Sequence, residues 1–267
     1  MTLDAFLQVY AALFGLIAGS YLNVVVYRLP RGISTVLPRS RCPRCRMPVR
    51  PWDNVPVLSF LLLGGRCRSC RVAISWRYPL VEAATAACFV ASFREFRPSL
   101  TGTVIAWVFC AAMIALALID FEHYLLPDVI TLPGVAVGLL VLPRLGWTSD
   151  RDAWLGAALG AGVLLAVAWG WYALKRVHGM GLGDVKMLAM VGAFLGWKGT
   201  VSTLFVASLA GSLVGLSMMA AGRLRMQSRL PFGVFLALGA LVTLFFRHEI
   251  VALYGRFGLA LARWLLG

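Results

Sequence analysis

The sequence predicts an all-α, polytopic membrane protein: a bundle of about eight transmembrane helices carrying one polar, cysteine-bearing loop. Three observations predict it. Of the 267 residues, 60% are hydrophobic and only 13% are charged, against about 45–50% and about 25% in soluble domains. Mean hydropathy is +0.83. The charges cluster, leaving uncharged stretches near the roughly 20 residues that a helix needs to cross a bilayer core. A soluble globule is excluded, and so is disorder, because the apolar content is too high. The net charge of +14 would suggest nucleic acid in a soluble chain; here it reads as loop charge that sets topology, with no nucleic-acid partner expected.

The elements follow in order. Residues 5–27 are uncharged and give the first span; Asp4, with no Lys or Arg before it, argues against a cleaved signal peptide. Residues 28–78 are polar and hold Pro, Gly and Cys, so they form the extramembrane loop. Further spans are expected at 79–93 (interrupted by Glu82), 99–119, 129–143 and 153–174, then a short 187–197, 199–222 and 230–246. The tail mixes Glu249, Arg256 and Arg263 with apolar residues, which predicts an interfacial helix. The chain therefore divides into a first helix (1–27), a cysteine-bearing loop (28–78), a membrane domain (79–248) and the tail (249–267). No internal repeat or low-complexity segment is evident.

The first loop carries eleven arginines, from Arg28 to Arg77, against only Asp53. The positive-inside rule makes it cytoplasmic and the N-terminus external. Counting 187–197 as a crossing keeps Arg223, Arg225 and Arg229 inside as well. Its shortness suggests thinned membrane or a water-filled recess.

Cys42-Pro-Arg-Cys45 and Cys67-Arg-Ser-Cys70 are two C-x-x-C units separated by 21 residues. Each can offer two thiolates, and two such units complete a tetrahedral zinc site. Four protein ligands close the site, making the zinc structural. Four reduced thiols or two disulfides are the alternatives, and a cytoplasmic loop disfavours disulfides. Cys88 and Cys110 fall within spans and read as small apolar residues.

Of eleven acids, Glu82, Asp120, Glu122, Asp128 and Asp184 lie at or inside membrane boundaries. A mid-membrane Asp costs about 2.5–3.5 kcal/mol on insertion scales, so each is a functional candidate. Asp120 ends a span running inward and Asp184 opens one running outward, so both reach the cytoplasmic face. Two carboxylates close together cannot both ionise; one keeps a proton while the other activates water. Before Asp184, Gly179-Met180-Gly181-Leu182-Gly183 allows a tight turn and close approach of a substrate strand. The bland alternative is a helix-capping Asp184 and a solvated Asp120. Glu82 is expected to pair with an arginine such as Arg77, Lys186 to snorkel to the lipid surface, and Asp128 to cap its helix. Trp52, Trp76, Trp147, Trp169, Trp171 and Trp197 read as an interfacial belt.

The ordered motifs resemble the bacterial prepilin peptidases, the type IV leader peptidases among the GxGD membrane aspartyl proteases. The resemblance rests on Gly19-Ser20-Tyr21-Leu22-Asn23-Val24, the Cys42–Cys70 units and Ile74-Ser75-Trp76-Arg77-Tyr78-Pro79-Leu80-Val81-Glu82. It continues through Ile119-Asp120, Leu126-Pro127-Asp128, Gly179 to Lys186, and Pro231-Phe232-Gly233. Leu182 and Val234 depart from the usual pattern. The resemblance implies Asp120 and Asp184 as the catalytic aspartates and Cys42, Cys45, Cys67 and Cys70 as zinc ligands. It also implies removal of a basic leader from pilin or pseudopilin precursors at the cytoplasmic face of the bacterial inner membrane. N-methylation of the new terminus by S-adenosylmethionine would follow, and no residue identifies the donor site; Gly64-Gly65-Arg66 reads as a turn. The loop arginines would repel a basic leader and instead suit topology and anionic lipid, leaving Glu122 and Asp128 to meet the leader. The competing class is a proton-coupled transporter using the same aspartates, for which inverted repeats would speak; a scaffold whose zinc loop binds a partner leaves the aspartates without a role.

Overall fold

The computed structural model describes residues 3–176, 181–222 and 230–250, with 252, 254 and 256. Gly179 and Met180, the arginines at 223, 225 and 229, and most of the expected tail helix lie outside the described residues. Helices account for the architecture: α1 (Leu3–Arg28), a short α2 (Leu58–Leu62), α3 (Arg77–Phe96), α4 (Leu100–His123), α5 (Asp128–Leu140), α6 (Asp150–Lys175), α7 (Leu182–Ala220) and α8 (Phe232–Phe245). Among the described residues there is no strand, only two isolated bridges.

Among the described residues, four helical stretches are long and apolar enough to cross a membrane: Leu3–Arg31, Leu100–His123, Asp150–Lys175 and Leu182–Ala220. The apolar helices α5 and α8 are shorter than that. The stretches expected at 187–197 and 199–222 are joined in α7, which breaks at Gly196, where φ is 72° and ψ is 178°. That conformation suits glycine, and it falls beside Lys198, the charge that separates the two apolar stretches. The first half of α7 also begins earlier than expected, at Leu182, so Asp184 lies in its first turn.

The chain divides into two compact units, Met1–Ile119 and Asp120–Gly267. In the first, α1 and α3 cross through small residues: a Cβ on Gly15 or Gly19 would lie 2.6 Å from the Cα of Ala86 or Glu82. Close backbone approach of this kind replaces the hydrophobic drive that lipid does not supply. Phe89 stacks on Trp107 with centroids 4.8 Å apart, and the Trp107 indole N–H donates to the Phe89 carbonyl at 2.8 Å. Glu82 is buried and accepts from the Val57 N–H at 2.7 Å, so it fastens the loop to α3, an anchor that the spacing to Arg77 does not suggest.

The loop holds two knuckles that repeat each other 25 residues apart, contrary to the expectation of no internal repeat. Arg41 bridges Pro48 as Arg66 bridges Ala73. Cys42 N–H donates to Met47 O at 3.0 Å as Cys67 N–H does to Val72 O at 2.9 Å. Arg46 and Arg71 both turn the chain at φ 58°. Eight-residue units are too short to stand out from composition; their backbone bonds reveal them.

In the second unit, α6 packs on α7 with Gly156 against Gly192 and Gly160 against Leu188. Helix α5 meets α7 where Gly138 faces Ala193, and α8 meets it where Gly239 faces the Thr203 carbonyl. Met187, Leu188, Val191 and Leu236 are fully buried between these helices. The first half of α7 is thus the unit's central strut, and it carries Asp184 at its start.

Candidate active site and metal centre

The knuckles of the first unit bring Cys42, Cys45, Cys67 and Cys70 together, with all four sulfurs within 4.8 Å of one another. The Cys42 and Cys70 sulfurs are 3.7 Å apart, far beyond the roughly 2.0 Å of a disulfide. A zinc–sulfur distance of about 2.3 Å in a tetrahedron separates sulfurs by about 3.8 Å, so the cluster fits a thiolate-bound metal. The proton chemistry agrees. The Cys45 N–H, above all, holds the Cys42 thiol down at about 6. The Met47 N–H pulls Cys45 the same way, but lost hydration and the neighbouring sulfurs push it up to about 11. Four crowded sulfurs do not all carry negative charge without a cation among them. Beside the cluster, the Arg68 guanidinium grips both Asp53 oxygens at 2.6–3.1 Å and holds that carboxyl below its usual range.

The second unit assembles Asp120 and Asp184. Asp120 lies in the last turn of α4 and is only 6% exposed. Its Oδ2 is buried with no hydrogen-bond partner among the described residues. The backbone N–H groups of Gly233 and Val234, at the start of α8, face this carboxylate. A helix N-terminus is a positive pole, the surroundings in which buried negative charge is tolerated. Gly233 is required by space: a Cβ there would lie 2.8 Å from Asp120 Oδ2. Asp184 is partly buried, and the charge of Asp120 also acts on it. The two carboxylates, 64 positions apart in the chain, therefore interact across the unit. Neither caps a helix in the ordinary sense: the residue preceding α7 is Gly181, with no side-chain cap.

Leu126, 8% exposed, fills the space between the helix starts: Cβ atoms on Gly183 and Gly233 would meet it at 3.0 and 3.2 Å. Asp128 does not cap α5, since Pro127 takes the cap position without a side-chain bond. Instead both Asp128 oxygens accept from Lys186 Nζ, at 2.7 and 2.8 Å. Lys186 thus ends in an ion pair rather than snorkelling to lipid, and Asp128 is already engaged by a cation. Spacing carries no signal for a pair 58 positions apart. Leu126, Gly233 and Val234 are equally beyond composition; only the Leu126-Pro127-Asp128 and Pro231-Phe232-Gly233 motifs point at their neighbourhood. Glu122 lies 3.9 Å from the His123 imidazole.

Comparison with known proteins covers both units. The Bacterial Peptidase A24 N-terminal domain matches residues 13–96, and the Type IV leader peptidase family matches residues 107–216. A Burkholderia pseudomallei protein named prepilin leader peptidase/N-methyltransferase is 39% identical, over 92% of this chain and 87% of its own. Proteins of the same name from Pseudomonas aeruginosa and Aeromonas hydrophila are 36% and 37% identical, covering 92% and 91% of both chains. No solved structure matches. With one family domain over the cysteine-bearing unit, the other over most of the aspartate-bearing unit and relatives aligned nearly end to end, the chain belongs to the type IV leader peptidase family.

Proposed function

We propose that Asp120 and Asp184 are the hydrolytic pair of a bifunctional enzyme. The chain is a prepilin leader peptidase and N-methyltransferase: it cleaves the leader from type IV prepilin-like proteins and methylates the terminus so exposed. The proton-coupled transporter is not favoured by relatives of this name. The observation that carries our reading of the residues is that Leu126 packs against both Gly183, beside Asp184, and Gly233, which lies against Asp120 Oδ2, an oxygen buried with no partner among the described residues.

In this reading the two aspartates share one proton. The ionised one takes a proton from water as it attacks the scissile carbonyl, and the protonated one polarises that carbonyl. The proton taken from water then passes to the departing amine, and no covalent acyl-enzyme forms. The backbone N–H groups of Gly233 and Val234 steady the Asp120 carboxylate, and Leu126 shields its flank. The apolar stem of the precursor lies among the helices while the leader stays at the cytoplasmic surface. This reading keeps the chain at about eight spans and puts both aspartates at that surface, and the arginine-rich first loop supports that orientation. Cys42, Cys45, Cys67 and Cys70 hold a structural zinc, which orders a loop with little apolar core. S-adenosylmethionine supplies the methyl group. The loop arginines face anionic lipid.

The experiment separates the two reactions. Purified protein receives either a pilin precursor or a peptide that begins at the mature terminus. Asp120→Asn and Asp184→Asn each lower leader release by at least about a thousandfold, the scale of acid–base catalysis, while methylation of the mature peptide persists. Leader release at the wild-type rate by either variant would remove the dyad.

A further inference from the structure

We propose that Lys186 and Asp128 form a positioning pair for leader cleavage, holding the first turns of α7 so that Asp184 stays turned toward Asp120. The inference rests on the reading of those aspartates as the hydrolytic pair. It begins from helix geometry. At 3.6 residues per turn, positions two apart point about 200° apart, so Lys186 leaves α7 on roughly the opposite side from Asp184. On one side of the helix Asp184 meets the charge of Asp120. On the other, Lys186 Nζ donates to both oxygens of Asp128 at 2.7 and 2.8 Å. A helix fastened on opposite sides does not roll about its axis, and roll is the motion that would carry one carboxylate away from the other.

The remaining contacts show why this fastening matters here. Helix α7 has no side-chain cap at its start. In its first turn Gly183 rests on the side chain of Leu126. Leu126 and Asp128 belong to the short segment that leaves Asp120, which turns at Tyr124 with φ 52° and enters α5 after Pro127. One segment therefore carries Asp120 at its beginning, the Leu126 wedge in its middle and the partner of Lys186 at its end. The ion pair ties that segment to the helix that carries Asp184. The same bond removes Asp128 from recognition of a basic leader, because its two oxygens are taken by a cation of the protein itself.

The pair is partly exposed, with side chains 34% and 55% accessible, and exposed ion pairs add little to stability. Removing it leaves the fold intact and misplaces a catalytic group, which costs up to about a hundredfold per ångström. Lys186→Met and Asp128→Asn are each expected to lower kcat for leader release by about 10- to 100-fold with KM within about twofold. The double neutral variant loses no more than either single one, and the exchanged pair, Asp128→Lys with Lys186→Asp, recovers most of the rate. Methylation of a peptide beginning at the mature terminus serves as the folding readout and stays at the wild-type level. Unchanged kcat, a loss confined to KM, losses that multiply in the double variant, no recovery on exchange, or an equal fall in methylation each overturn the proposal. Asp184→Asn run beside them keeps the two readings apart. If it cleaves normally the dyad itself fails; if it is inert while Lys186→Met is normal, only the positioning role fails.

Discussion

The two units solve the same assembly problem with opposite chemistry. In Met1–Ile119, four thiols converge through two short knuckles whose turns are fixed by local backbone bonds; in Asp120–Gly267, two carboxylates converge only because whole helices pack. Crowded thiols are reconciled by a cation placed among them. Crowded carboxylates are reconciled by sharing a proton, which leaves one of them free to act as a base. A closed four-ligand site is inert scaffolding, whereas an unpartnered buried oxygen is poised for chemistry. Under the proposed function, the difference teaches where the work divides: the cysteine unit orders a loop, and the aspartate unit breaks a bond.

The strongest way to break that comparison is to dismantle the thiol site alone. Replacing Cys42 and Cys67 by Ser, or stripping the metal with a chelator, is expected to unfold the loop and reduce methyl transfer below detection, while leader release stays within a few-fold of wild type. Metal content, read by elemental analysis, falls in step. Loss of both reactions together would mean that the two units are one working part.

A smaller effect sharpens the other side. Gly233→Ala places a methyl group where Asp120 Oδ2 lies 2.8 Å away, so the α8 start or the carboxylate must move. Leader release is expected to drop by roughly tenfold to a hundredfold, with methylation of a mature peptide unaffected. Wild-type cleavage by this variant would show that the α8 start does not hold Asp120.

The smallest effect concerns pH. Arg68 holds the Asp53 carboxyl below its usual value, so the bond stabilises the loop at pH above about 4, the ordinary carboxylate value, and its contribution fades as pH falls through the lowered value. The difference in metal retention between wild type and Arg68→Gln is therefore expected to be modest and constant near neutrality and to vanish in acid. The Arg68 side chain is half exposed, which keeps the effect small. A difference that grows on acidification would reverse the sign assigned to this bond.

Much of this division is legible in the amino-acid sequence alone. The C-x-x-C units announce themselves because metal ligands need only local spacing. The uncharged stretches mark helices because lipid tolerates little else, and the expected spans coincide with helical segments, although among the described residues four stretches meet the length and apolarity needed to cross. Asp120 and Asp184 stand out as acids at membrane boundaries. What stays hidden is what packing alone decides. The Lys186–Asp128 bond joins residues 58 positions apart, and a lysine near a helix end looks the same whether it reaches lipid or a partner. The Val57 N–H that Glu82 accepts depends on the path of an irregular loop. The interruption between 187–197 and 199–222, by contrast, is legible, and the non-helical backbone of Gly196 lies at its edge.

The most direct test asks whether two distant acids work as one device. Single-turnover leader release is measured for Asp120→Asn, Asp184→Asn and the variant carrying both. Residues that act as a unit are non-additive, so the doubly changed enzyme is expected to be no slower than either single one. Losses that multiply, or a single variant that keeps the native rate, would contradict the account.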